Sequence, residues 1–311
     1  MSAIPDPILV TGASGCLGFP LAGRLAREGR TVVGLDLAPP PGPASFHAVR
    51  GDVCDPHLLH RLFREFGFRA VVHCGGISGQ MVAPGDPYRN CHVNVVGTMH
   101  VLEAAREHKV ERLIYSSSQA AYGDASTEPI TEDTRFEPTT VYGATKAACD
   151  LLVRAYRVQH GLNATALRIG RVYGPGRRTD SIIATLLTAA LAGGPLRLRA
   201  SGGVRIQYVY DADIVCALYL ALSAGTLPLP AYNVSGPGEF TDDDIAAMIR
   251  VLAPTADITF EAAAAGGPTR SETVVGAPLD YSAAQRDFGY EPQYDMARGL
   301  TAYADALRNP L

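Results

Sequence analysis

Short apolar runs and segments of helical periodicity take turns along the first half of the chain. Ile8-Leu9-Val10, Thr31 to Leu35, Ser45 to Val49, Ala70 to Cys74 and Arg112 to Tyr115 read as strands. Between them Phe19 to Glu28, Pro56 to Phe66 and residues 86–108 read as helices, the last with Val93, Val96, His100, Val101 and Ala104 recurring at helical spacing. This alternation predicts an α/β fold with a doubly wound parallel sheet, whose ligands bind at the carboxyl ends of the strands. Beyond Arg168 the chain is punctuated by Pro and Gly. It reads as a helix from Asp180 to Leu191, a strand near Leu196 to Arg199, and Tyr208-Val209-Tyr210 leading to Asp213.

The first strand runs into Thr11-Gly12-Ala13-Ser14-Gly15-Cys16-Leu17-Gly18 before the first helix. Glycines at a strand-to-helix turn tolerate positive φ and leave no Cβ in the way of a phosphate, while the helix start offers unpaired N–H groups. The turn is suited to a pyrophosphate. The second strand ends in Asp36, about 20 residues further on, where a dinucleotide fold places an acid on the adenosine ribose. A carboxylate there repels a 2′-phosphate, and no arginine follows in Leu37-Ala38-Pro39, which favours NAD over NADP. Pro39 to Pro43 is a short stiff loop. Asp52, in Gly51-Asp52-Val53, is either an acceptor for the adenine amino group or a plain turn residue. Gly75-Gly76-Ile77-Ser78-Gly79 follows a strand end and either admits a ligand to the backbone or is simply a flexible loop.

Composition narrows the classes. A net charge of −4 over 311 residues gives no attraction for nucleic acid or an anionic membrane. Neither a leader at Met1 to Asp6 nor a run of membrane-spanning length is expected, so the reading is a cytoplasmic protein. Cys16, Cys54, Cys74, Cys91, Cys149 and Cys216 are scattered, which suits reduced thiols better than disulfides or a metal site. The loop from Tyr122 to Thr140, with Glu128, Glu132, Asp133 and Glu137, reads as a solvated connection that partly lids the site.

Tyr142-Gly143-Ala144-Thr145-Lys146 opens a helix that runs to about His160. Residues four apart share a helix face, so the ammonium of Lys146 lies beside the phenol of Tyr142. A neighbouring cation stabilises a phenolate, and such a tyrosine serves as a general base. With 14 tyrosines and two lysines in the chain, about 0.1 pairs at this spacing are expected by chance.

Taken in order, Gly12-x-x-Gly15-x-x-Gly18, Asp36, Asp52-Val53, His73 with small residues after it, Asn94-Val95-Val96-Gly97-Thr98, Ser116-Ser117-Ser118 ahead of Tyr122-Gly123, Tyr142-x-x-x-Lys146 and Arg168 to Gly176 resemble the extended short-chain dehydrogenase/reductase family, in its NAD-dependent epimerase/dehydratase group. The resemblance spans nearly the whole chain. It implies a Rossmann domain of residues 1–168 plus 207–234 and an interleaved α/β substrate lobe of 169–206 plus 235–311. It implies that NAD is held by Gly12, Gly15, Cys16, Leu17 and Gly18, by Asp36, Asp52 and Val53, by Cys74, Gly75 and Gly76, and by Asn94, Ser116, Tyr142, Lys146, Ile169 and Val172. Ser118 then hydrogen-bonds the reacting hydroxyl, Tyr142 moves its proton and Lys146 also holds the nicotinamide ribose. Residues 86–108 and 142–160 resemble helices that pair into a dimer seam, which implies a homodimer.

The expected substrate is a small carbohydrate, held by Ser78, Ser118, Arg171, Arg178, Arg205 and Arg270, because guanidiniums clamp phosphate or carboxylate. Gln119-Ala120 stand where dehydratases of the family carry an acidic pair, which disfavours dehydration. The length, the arginines of the second lobe and Tyr173-Gly174-Pro175-Gly176 favour a nucleotide-sugar epimerase. Three departures speak against this reading, and the alternative is a sugar-acid or polyol dehydrogenase. Arg171 replaces the usual asparagine, Arg205 precedes Asp213 by one residue more than the family's diphosphate-binding arginine does, and Gly75-Gly76-Ile77-Ser78 is similar to a loop of uronate dehydrogenases. The intact Ser118, Tyr142 and Lys146 set points to an enzyme rather than a protein that only binds NAD.

Overall fold

Four buried apolar strands near the start of the chain set the architecture: β1 (Ile8–Thr11), β2 (Val32–Asp36), β4 (Ala70–His73) and β5 (Arg112–Ser118). The structure is a computed structural model that describes residues 4–79, 85–124, 129–177, 179, 181–199, 203–261 and 277–309. With β3 (His47–Arg50), β6 (Ala164–Ile169) and β10 (Ala231–Val234) these strands form a seven-stranded parallel sheet in the order β10-β6-β5-β4-β1-β2-β3. Side chains alternate across it. Ile8 and Val10 face α1 (Gly18–Arg27) and α7 (Asp211–Ser223), whereas Leu9 faces α2 (Pro56–Phe66), α4 (Gly97–Glu107) and α5 (Val141–His160). Both faces are covered, which is why these strands are apolar throughout rather than alternating.

Helix ends follow local chemistry. Asp55 caps α2 by accepting from the Leu58 N–H at 3.0 Å, Pro56 occupies its first turn, and Gly67 ends it at φ +61°. Thr140 caps α5 by accepting from the Gly143 N–H at 3.1 Å, so Tyr142 stands in the first turn and Lys146 one turn later. The predicted helix over 86–108 is interrupted: α3 (Pro87–Cys91) and α4 flank a π-helical turn, His92–Val96. The wider turn directs Asn94 into the interior, where it is buried.

Past β6 the chain builds a second layer. β7 (Arg171–Tyr173) pairs with β9 (Ile206–Tyr210), which also pairs with β11 (Glu239–Phe240); β8 (Leu196–Arg199) pairs with β12 (Ile258–Glu261). Helices α6 (Ile182–Ala192), α8 (Asp242–Leu252) and α10 (Met296–Arg308) enclose a separate core around Ile183, Leu187, Ile249 and Leu300. The helix α9 (Ser282–Phe288) packs instead against β10, on the large sheet. The chain therefore crosses between layers at β6–β7, β9–α7 and β10–β11, returns to the large sheet at α9 and leaves it again before α10. Among the described residues no helix is long and apolar enough to cross a membrane.

The described part of the acidic loop before α5 is less solvated than its composition suggests; Glu128 lies outside the described residues. Arg168 on β6 makes a two-pronged ion pair with Asp150, at 2.8 and 3.0 Å, and donates to the Tyr122 hydroxyl and the Glu132 carbonyl, both at 2.7 Å. Asn233 accepts from the Tyr122 hydroxyl at 2.7 Å, and its backbone N–H donates to the Glu132 carboxylate at 2.9 Å. This buried network pins the loop to β6, β10 and α5.

Candidate active site

The strand order reverses between β1 and β4, and a crevice of about 450 Å³ opens at the carboxyl ends there. Its floor is the glycine turn, with Gly12, Gly15, Cys16, Leu17 and Gly18 all lining it. Gly12 lies at φ +67°, and a Cβ on it would stand 2.7 Å from the backbone of Cys74 and Gly75. Turn and wall are thus pressed together, leaving bare backbone facing the crevice where a phosphate is to lie.

At one end the lining carries carboxylates. Asp36 accepts from the Ser14 N–H at 3.0 Å through one oxygen and from the Ala38 N–H at 2.9 Å through the other. Two amide donors fix its direction at the end of β2, with lone pairs left for ribose hydroxyls. Asp52 accepts from the Cys54 N–H at 2.9 Å and also lines the crevice, with Val53 beside it. The turn role and a ligand role for Asp52 are therefore compatible.

The other end carries the chemistry. Ser116, Ser118, Tyr142, Lys146, Ile169 and Val172 line it together with Ser78 and Arg171. The ammonium of Lys146 donates to the Ser116 carbonyl at 2.8 Å and stands 5.9 Å from the centre of the Tyr142 ring. Ser118 Oγ accepts from the Ala120 N–H at 3.2 Å, so the hydroxyl is held by its own turn and keeps its proton to donate. Cys74, Gly75 and Gly76 form the facing wall.

Asn94 sits behind that wall. Its Oδ1 accepts from the Ile77 N–H at 2.7 Å, and its amide donates to the Ile77 carbonyl, Asn90 and Thr145. It braces the loop rather than lining the crevice. Arg205 is also placed elsewhere: its guanidinium donates to the Glu239 carbonyl at 2.6 Å and lies 3.6 Å from Asp244, on the outer side of the small sheet. Arg178 and Arg270 lie outside the described residues. Sequence reasoning passed over Arg89, which lines the crevice from α3, and gave no specific place to Arg177 and Thr179, which line it from the loop after β7. The signal for Arg89 was available: Asp86-Pro87 starts a helix, and its first turn faces the strand ends.

Burial pushes the thiol of Cys74 up to about 12 and raises that of Cys16, so neither supplies a thiolate nucleophile. Burial likewise raises Asp211, under the Gly174–Gly176 loop, from 3.8 to about 6. A carboxyl raised on folding costs nothing well below 3.8, where it is protonated in both states; its cost grows as pH rises from 3.8 to about 6 and is constant above that. Asp211→Asn is therefore expected to stabilise the protein by about 3 kcal/mol at pH 8 and to leave it nearly unchanged at about pH 3, as read by urea melts at the two pH values.

A crevice at the reversal point, floored by the glycine turn and carrying a serine, a tyrosine and a lysine at one end, is matched by a known sequence pattern. That of the NAD dependent epimerase/dehydratase family covers residues 8–236. The chain belongs to this family. It is an NAD-dependent enzyme of the extended short-chain dehydrogenase/reductase type, and the glycine turn and Asp36 fit that cofactor. The chain is similar to the UDP-glucose 4-epimerase of Mycolicibacterium smegmatis, 28% identical over 97% of this chain and 98% of that one. It is also similar to a dTDP-glucose 4,6-dehydratase of the same organism, at 33% identity over 71% and 70%. Among solved structures, the Thermus thermophilus UDP-glucose 4-epimerase in complex with NAD superposes with a TM-score of 0.84 at 28% identity, covering 98% of this chain and 99% of that one.

Proposed function

We propose that this member of the family is a nucleotide-sugar epimerase acting on a secondary hydroxyl. The observation that carries the reading is the placement of Ser118, Tyr142 and Lys146 at one end of a crevice whose other end carries Asp36 and Asp52. Tyr142, with the Lys146 ammonium 5.9 Å from the centre of its ring, is the base that takes the proton of the reacting hydroxyl. Ser118 donates a hydrogen bond to the same oxygen and fixes its direction. NAD, when bound, supplies the hydride acceptor at the carbon that bears this oxygen. Lys146, anchored on the Ser116 carbonyl, holds the nicotinamide ribose, and the turn from Gly12 to Gly18 holds the pyrophosphate. Ala120 lines the crevice with no proton to give, which supports epimerisation over dehydration.

A second reading rests on Arg171 and Ser78, both in the crevice lining: together they suit a carboxylate, hence a sugar-acid dehydrogenase. The assay separates the two. Purified enzyme is expected to retain NAD and to interconvert UDP-sugars with no net NADH. Accumulation of NADH with an uronate or aldonate, without interconversion of UDP-sugars, would replace the first reading by the second.

We assign the large layer, with α7 and β10, to cofactor binding and the small layer to the substrate. Tyr88, Met99, Leu151 and Val158 are exposed apolar side chains on α3, α4 and α5, which supports a homodimer joined through these helices.

A further inference from the structure

His73 ends β4 fully buried, directly behind the cofactor wall, and the mechanism above does not use it. Its hydrogen bonds favour one tautomer. The Gly75 N–H donates to Thr11 Oγ1 at 3.1 Å, and the Thr11 hydroxyl lies 2.6 Å from His73 Nδ1. Gly75 takes up one lone pair of Thr11 Oγ1, and Nδ1 is the remaining partner at hydrogen-bond distance for the hydroxyl proton, which favours the tautomer in which Thr11 donates to Nδ1. Nδ1 is then the bare nitrogen, and Nε2–H donates to Thr98 Oγ1 at 3.0 Å. Thr98 is in turn hydrogen-bonded with Cys149, whose thiol donates to the Asn94 carbonyl at 3.1 Å. One chain of donors therefore leads from the wall of the crevice to the π-turn. The Asn94 side chain on that same turn grips Ile77 from the far side.

A second proton on the ring would set N–H against the Thr11 hydroxyl and break the order of donors. Burial and the nearby Lys146 ammonium prevent this, holding the imidazole down to about 3. His73 is thereby a fixed neutral acceptor.

We propose that His73 is a positioning residue for the cofactor: through Thr11 it fixes the Gly75 peptide against the glycine turn, and so sets the wall on which NAD rests. The inference rests on NAD binding in this crevice, not on the choice of substrate. It differs from a role in core packing, because it depends on an acceptor at Nδ1 and not on the volume of the ring.

The test uses the holoenzyme loaded with radiolabelled NAD, its exchange against excess unlabelled NAD, and kcat at saturating NAD. His73→Leu is expected to speed exchange about tenfold, the loss of one buried hydrogen bond, while kcat falls by less than about threefold. His73→Asn, which restores an acceptor at the Nδ1 position, is expected to recover slow exchange, and His73→Gln, which reaches only the Nε2 position, is not. Should His73→Leu fail to fold, Thr11→Val removes the same hydroxyl with little change of shape and is expected to speed exchange likewise. Unchanged exchange in His73→Leu or Thr11→Val, or equal acceleration in His73→Asn and His73→Gln, would overturn the proposal. Retention of NAD by no variant and not by the native protein would instead overturn the assignment of the crevice.

Discussion

Tyr142→Phe is expected to lower turnover by about 10²- to 10⁴-fold, the range over which a positioned acid or base contributes, while NAD stays bound. The substitution removes one oxygen. The ring, its place in the first turn of α5 and the Thr140 cap all remain, and so does the bond from Lys146 to the Ser116 carbonyl. Structure and cofactor affinity should therefore hardly change. The measurement is kcat beside the NAD content of the purified protein. Loss of bound NAD in parallel with activity would mean that the phenol supports the cofactor rather than the proton transfer.

Gly18→Ala is expected to abolish NAD retention and to destabilise the fold. A Cβ there would lie 2.2 Å from the Gly12 carbonyl oxygen and 2.8 Å from its carbon, so the collision is with backbone and no rotamer relieves it. The start of α1 must move away from the turn. Overpacking of this kind costs about 1–3 kcal/mol, and the displaced N–H groups no longer converge on a phosphate. Gly42→Ala, in the proline-rich loop with nothing within 4 Å, serves as the neutral control. Equal NAD retention and equal melting temperature in both variants would contradict the close packing of turn and helix.

How much of this was legible in the sequence depends on the range of the interactions. The glycine turn, Asp36 and the Tyr142–Lys146 pair are local: each needs only a strand end or one turn of helix, and these are written in neighbouring residues. The interruption of the helix over 86–108 is not local in the same way. One extra residue per turn is stabilised by Asn94 reaching Ile77 and Thr145, contacts that no 3.6-residue period reveals. The small sheet was hidden because β7 has three residues and β11 two, too few to show a period of their own. Arg205 illustrates a further limit. It is near the position where an arginine is expected, yet the alternation of side chains along an extended segment makes direction depend on register, and this one faces Asp244. Glu132 looked like a solvated loop acid, but its carboxylate accepts from the Asn233 N–H and its carbonyl from Arg168, contacts distant in sequence that hold it half buried.

The central claim is that a hydride leaves the carbon whose hydroxyl Tyr142 deprotonates, and that it does so inside this crevice. A substrate carrying deuterium on that carbon tests it. Slower turnover is predicted, with the label found in the sugar product or on the nicotinamide and none in water. Label washed into solvent would show that a proton, not a hydride, is removed from that carbon, and would contradict the account.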